Sequence, residues 1–221
     1  MKICRSFVAL FALLLFGSSA GSLSAETLSI EVMGGSAFNF ATPLYIHQDG
    51  YPDLHINASY DTKPFGPYAP YYSWRAGLWD KDEAWEISQV HHRIYLSNPP
   101  PEVQFFAIHF GYNYFFFGHA WNKAGFHYHL GIGPIIANPE TTVRGQQLFT
   151  GGMGLFDAGY DFSGIGAEVS ITRNIDLNPN LYLVLEAAFI AGWAWWIPVA
   201  GGYADVPSMA LHYHLGTGYR F

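Results

Sequence analysis

The chain has 221 residues, of which half are hydrophobic, 18% are aromatic and only 12% are charged, against about 25% charged residues in ordinary soluble domains. That composition excludes a disordered chain, which is poor in aromatics and rich in charge, and it argues against an ordinary soluble enzyme surface. Lys and Arg number 10 against 17 Asp and Glu, so no basic stripe exists to displace phosphate counterions, and a nucleic-acid partner is disfavoured.

At the N-terminus, Lys2 and Arg5 precede an apolar run from Phe7 to Phe16, and small residues follow from Gly17 to Ala25. This layout predicts a secretion signal over residues 1–25, cleaved after Ala20 or Ala25. The apolar run is too short to span a bilayer as a helix, which takes about 20 residues. The single cysteine, Cys4, precedes that run and would leave with the leader, so residues 26–221 hold no thiol for a disulfide, a thiolate zinc site or a nucleophile. Cleavage also removes Lys2 and Arg5, leaving 8 basic against 17 acidic side chains and a formal charge of −9.

Beyond the leader, apolar or aromatic residues alternate with small or polar ones, the period of a β-strand with two unlike faces. In chain order the predicted strands are Leu28 to Phe40, Asp53 to Asp61, Tyr72 to Trp79, Trp85 to Leu96, Val103 to Phe117, Gly125 to Ala137, Gly164 to Asn174, Leu181 to Trp196 and Met209 to Phe221. The last is the clearest: Met209, Leu211, Tyr213, Leu215, Tyr219 and Phe221 share one face, and His212, His214, Gly216, Gly218 and Arg220 the other. In the fifth, Phe106, Ile108, Phe110, Tyr112, Tyr114 and Phe116 are expected to face away from His109, Gly111 and Asn113.

Bulky rings on one face and Gly, Ser, His, Glu and Arg on the other suit a membrane barrel, which turns its large apolar side chains to lipid. A soluble periplasmic or secreted barrel would have to fit them into a narrow interior. A helical bundle is disfavoured, because the long apolar stretch from Leu181 to Gly202 contains Glu186 and Pro198 and alternates as a strand. The fold class expected is therefore all-β, an antiparallel transmembrane β-barrel. Bacterial single-chain barrels have an even strand count, and nine candidates make eight the favoured number. Leu28 to Phe40 is then the weakest, because Gly34 and Gly35 interrupt its period. Ten strands is the alternative, with one more hidden between Thr150 and Tyr160.

The ending Tyr219-Arg220-Phe221, with apolar alternation back to Leu211, resembles the C-terminal strand of bacterial outer-membrane β-barrels. The run from His91 to Pro100, with His109 to Asn113 after it, resembles a group of uncharacterised bacterial barrel proteins that brings no activity with it. The first resemblance implies outer-membrane lipid as surroundings, and the barrel-assembly machinery as a partner that reads Tyr219 and Phe221 during insertion. It also puts Phe221 on the periplasmic side, so that Ile175 to Asn180 is a periplasmic turn. The Pro/Gly-rich stretches Thr62 to Tyr71, Asn138 to Ser163 and Trp196 to Ser208 then read as surface loops.

On this reading the inward face collects His55, His91, His109, His127, His129, His212 and His214, with Glu86, Glu168, Glu186, Arg75, Arg93 and Arg220. Buried polar groups must be paired, which favours a lumenal network of charge-assisted hydrogen bonds and a plugged, non-conducting barrel. A metal site is the sharper alternative, since His127/His129 and His212/His214 lie two apart on a strand, with Glu168 or Glu186 to complete a shell. A lipid-modifying enzyme would need a hydroxyl, an imidazole and a carboxylate together. The lipid A deacylases of this compartment carry His and Ser two apart on one strand, and here Arg93, Gly111, His214 and Gly216 stand two after His91, His109, His212 and His214. No catalytic residue and no cofactor motif is identified; Gly151-Gly152-Met153-Gly154 lacks the lysine of a phosphate loop. A small metal or solute passage is the remaining alternative.

Overall fold

A computed structural model of the chain describes residues 27–66, 70–149 and 161–221. The predicted leader and the region searched for a hidden strand lie outside them. The described elements are all strands: β1 (Thr27–Asn39), β2 (Thr42–Gln48), β3 (Leu54–Ala58), β4 (Tyr60–Asp61), β5 (Tyr72–Asp80), β6 (Glu83–Leu96), β7 (Val103–Lys123), β8 (Phe126–Ala137), β9 (Glu140–Val143), β10 (Gln146–Phe149), β11 (Asp161–Asp176), β12 (Leu181–Val199) and β13 (Gly202–Arg220).

Eight of them close a ring in the order β1-β5-β6-β7-β8-β11-β12-β13, every neighbouring pair antiparallel, and β13 returns to β1 with Arg220 opposite Ser29. Closure leaves none of these eight strands as an edge of the ring, the condition for strands to cross lipid. The even count comes out as expected, but by a different subtraction. Leu28 to Phe40 supplies a full wall strand between β13 and β5, whereas Asp53 to Asp61 stays outside the ring. That segment becomes β3, which pairs only with β2, and β4, which extends the end of β6. Both glycines of β1 are wall residues, and Gly35 is closely packed: a Cβ there would come within 2.8 Å of the His214 ring.

The two ends of the ring differ. At one end Asp80–Glu83, Lys123–Phe126 and Asp176–Leu181 are short turns, and Lys81, Ala124 and Gly125 adopt positive φ to make two of them. At the other end the strands overshoot. β7 has 21 residues and β12 and β13 have 19 each, about twice the 9–11 that a bilayer requires. Residues 196–208, expected as a loop, are mostly ladder, and the β12–β13 turn is confined to Val199–Gly202. One of the two prolines in this stretch, Pro207, is tolerated for a physical reason. Pro207 lies where β13 changes partner, between Ala210 opposite Asn39 of β1 and Asp205 opposite Tyr45 of β2. Its carbonyl accepts from Thr42 Oγ1 on that side, so its missing N–H faces the interrupted ladder.

Around this end β2–β3, β9–β10 and the β12–β13 turn interlock. Buried Gln48 donates to Ala200 O at 2.8 Å and accepts from Arg144, which also donates to Pro52 O. Beneath them Leu44, Ile46, Ile94, Phe106, Ile108, Ile135, Ile197 and Val206 form one apolar core.

Bulky rings and aliphatics dominate the outer surface. Trp85, Leu130, Ile132, Ile165, Val169, Trp193, Leu215 and Phe221 are each about half exposed or more. No tryptophan is fully buried.

Candidate functional site: the ion-paired lumen

Alternation on each wall strand sends one set of polar side chains inward, and strand register sets them opposite one another. Glu31 of β1 stands opposite Arg75 of β5, and Glu186 of β12 opposite His214 of β13. Arg75 is the hub. Its guanidinium lies 2.5 Å from Glu186, 3.2 Å from Glu31, 3.4 Å from Glu168 and 3.6 Å from Glu86, and all five side chains are buried. Ser170 and Thr172 donate to Glu186 at 3.1 and 2.9 Å, Tyr182 donates to Glu31 at 3.0 Å, and His129 Nδ1 sits 2.7 Å from Glu86.

From Glu186 the chain of contacts climbs toward the long-loop end. His214 Nδ1 is 2.6 Å from Glu186 Oε1, and the Tyr71 hydroxyl bridges His214 Nε2 at 2.7 Å and His212 Nδ1 at 2.5 Å. A carboxylate, an imidazole and a hydroxyl are thus in line, but at the centre of the barrel, with Tyr71 only 3% exposed, and not at an outer rim. Above them the Tyr114 ring lies across a glycine floor: a Cβ on Gly166 or Gly192 would approach it to 2.7 Å.

Seven predicted residues, Arg75, Glu86, His129, Glu168, Glu186, His212 and His214, meet in this network. His127 and Arg220 line a polar cavity of about 360 Å³ at the short-turn mouth, with Trp79, Asn174, Asp176 and Tyr182; there Arg220 pairs with Asp176 at 2.7 Å.

Four predicted inward residues are elsewhere. His91 and Arg93 lie an odd number of residues from inward Glu86, so they sit on the outer side of the wall. His91 is stacked on Tyr72, and Arg93 is buried against the carbonyls of His109 and Lys63. In β7 Gly118 stands opposite inward Glu86, which puts the even-numbered residues of the strand inside and His109 on the outer side near Glu140; the bulge at Gly111, φ 134°, opposite Arg93, leaves that parity unchanged. Phe106, Ile108, Tyr112, Tyr114 and Phe116 all point inward, against the expected face. His55 is exposed on the β2–β3 hairpin, its ring 5.0 Å from that of Tyr45. Four lumenal residues escaped the sequence reading: His92, Glu31, Tyr182 and Tyr71. The parity of Glu86 alone would have found His92.

The His-x-His pairs do not converge on a point. Ring centres are 6.4 Å apart for His127/His129 and 5.9 Å for His212/His214, and both nitrogens of His214 are engaged. Among the described residues no group of three or more His, Cys, Asp or Glu side chains is placed to hold a metal ion. Tyr219 and Phe221 face outward, with ring centres 4.8 Å apart.

A closed antiparallel ring of eight strands with an apolar exterior and a self-paired polar interior defines the class: a transmembrane β-barrel. Compared with known proteins, the chain is similar in fold to the attachment invasion locus protein Ail of Yersinia pestis (TM-score 0.42, 13% identity, covering 90% of this chain and 100% of that one). It is similar too to the outer-membrane protein OprG of Pseudomonas aeruginosa (0.48, 12%, 89% and 96%) and to Neisserial surface protein A (0.38, 11%, 90% and 98%). No protein-family model and no curated relative matches the chain.

Proposed function

We propose that this chain is an integral outer-membrane β-barrel, exported by its cleaved leader, with a plugged and non-conducting lumen. Its role is structural or surface-binding, carried by the interlocked hairpins at the long-loop end. The observation that carries this reading is the Arg75 hub: one guanidinium and four carboxylates tie β1, β5, β6, β11 and β12 together across the interior. An eight-stranded barrel has room for little else. In this reading the short turns face the periplasm and the overshooting strands the exterior, as in barrels of this kind. Outer-membrane lipid surrounds the exposed belt, and the assembly machinery engages Tyr219 and Phe221.

Four measurements test it. Detergent-extracted protein should migrate faster unboiled than boiled and should fractionate with outer membranes. Reconstituted in planar bilayers it should show no steady conductance, and a defined open channel would sink the plug. Leu130→Arg, on the outer face, should cost about 2–4 kcal/mol in bilayers if it meets the mid-plane. A neutral result would place that face in water.

A further inference from the structure

His92 and His212 carry an observation that neither the plug nor the fold uses. They enter the lumen from β6 and β13, which are not neighbours in the ring, and both are completely buried. Their rings meet with centres 4.8 Å apart and planes at 69°. Each is anchored through one nitrogen only: His92 Nε2 lies 3.3 Å from Thr62 Oγ1, which accepts from Asn39 at 2.9 Å, and His212 Nδ1 lies 2.5 Å from the Tyr71 hydroxyl. The other nitrogen of each, His92 Nδ1 and His212 Nε2, is buried with no hydrogen-bond partner.

We propose that His92 and His212 together bind one divalent late first-row transition-metal ion, of the zinc(II) or copper(II) kind, inside the barrel. Three features support it. A metal-ligating histidine has its second nitrogen fixed by an oxygen, which sets its tautomer and ring orientation, and both rings show that anchoring. Two imidazoles on one tetrahedral ion, with metal–nitrogen bonds of about 2.0–2.1 Å, have ring centres about 5 Å apart, close to the spacing here. The pair is also linked to a carboxylate, because Tyr71 bridges His212 to His214, which reaches Glu186. Imidazole donors select zinc, copper or nickel over calcium and magnesium, which take oxygen ligands. Two imidazoles leave the remaining positions of the ion to water carried in with it. The earlier pairs, His127/His129 and His212/His214, lack this combination, since their spacing is wider and His214 has no free nitrogen.

The test uses the folded, detergent-purified barrel with the more accessible His47, His55 and His119 replaced by glutamine. It is stripped with chelator and titrated with zinc(II), cobalt(II) or copper(II) alone. One ion should bind per chain. Cobalt(II) should give the intense visible bands of a four-coordinate ion, and thermal unfolding should move upward with metal. His92→Gln and His212→Gln should each weaken binding by at least about tenfold, whereas His129→Gln, in the same lumen, should leave it unchanged. Absent uptake, or uptake indifferent to both substitutions, overturns the proposal. If either variant fails to fold, pulsed EPR of the copper(II)-loaded parent decides: two coordinated imidazoles support the site, and none overturns it. None of these readouts depends on conductance, so the site and the plug stand or fall separately.

Discussion

Along its axis the barrel interior changes chemistry. Toward the short turns it is ionic, with Glu31, Glu86, Glu168 and Glu186 gathered on Arg75. Toward the long-loop end it is hydrocarbon, with Ile94, Phe106, Ile108, Ile197 and Val206 packed as in a soluble domain. The order follows from what each stretch of wall faces. Where the outer face meets lipid, apolar side chains point out and the alternate positions are left to polar groups, which must satisfy one another. Where the strands run past the bilayer, β2, β3, β9 and β10 cover the wall and the apolar set can turn inward. A barrel of this length holds two cores, a polar one toward the short turns and an apolar one toward the long-loop end.

Substitutions in the two cores should separate them. Arg75→Met leaves four buried carboxylates without their guanidinium and should cost about 3–5 kcal/mol, read from urea unfolding in detergent, with partial recovery in the Arg75→Met/Glu186→Gln double variant. A cost below about 1 kcal/mol, the range of solvated pairs, would mean that water reaches the network and the plug is open. Ile108→Ala should cost about 2–5 kcal/mol by cavity formation, and no charge substitution should rescue it. If a polar residue such as Asn were tolerated at Ile108, the upper interior would be wet and the division into two cores would fail.

Much of the lower core was legible, because β8, β11, β12 and β13 alternate without interruption from Phe126 to Ile132, Ile165 to Ile175, Leu181 to Phe189 and Met209 to Phe221. Parity alone put Glu168, Glu186, His212 and His214 on one side. The β6–β7 wall was not legible. β7 is turned over as a whole: Phe106 and Ile108 before the Gly111 bulge, and Tyr112, Tyr114 and Phe116 after it, are all inside, while His109 is outside. Glycines made that reversal possible from across the lumen, and a ring packed on glycine leaves no hydrophobic period to read. Tyr71 was lost to a loop assignment drawn from Pro64, Pro67 and Pro70, although it is the first inward residue of the β5 wall.

That glycine floor gives a smaller effect that sharpens the boundary between the cores. A methyl group on Gly192 would meet Tyr114 Cε1 at 2.7 Å and Ile135 Cδ1 at 2.8 Å, so Gly192→Ala should destabilise by about 1–3 kcal/mol through overpacking. Combining it with Tyr114→Leu should recover part of the loss, whereas Gly34→Ala, with open space around its Cβ, should cost less. Equal costs at the two positions would show that backbone freedom matters there and ring packing does not.

The smallest effect is expected outside both cores, on the β2–β3 hairpin. His47 Nδ1 lies 2.7 Å from Asp53, which also accepts from the Tyr45 hydroxyl at 2.8 Å. Hydrogen bonding to Asp53 raises the His47 pKa above its ordinary 6.5 and pushes Tyr45 up to about 12, while His47 and Tyr45 hold Asp53 below 3.8. His47 therefore contributes fully below pH 6.5, and its share is lost as pH rises through the raised value. Asp53 contributes fully above pH 3.8, and its share is lost as pH falls through the lowered one. Both groups are solvent-accessible, so salt and water screen the pair, and the readout should be local. Proteolysis of the hairpin should be slowest between these limits and should quicken above them, while the apparent barrel stability stays flat. Asp53→Asn should lower the His47 titration, followed by NMR, toward its ordinary value, with Asp49, 3.6 Å from Nε2, keeping part of the rise. A His47 titration that ignores Asp53→Asn would show that the hairpin is held by Gln48 and Arg144 alone.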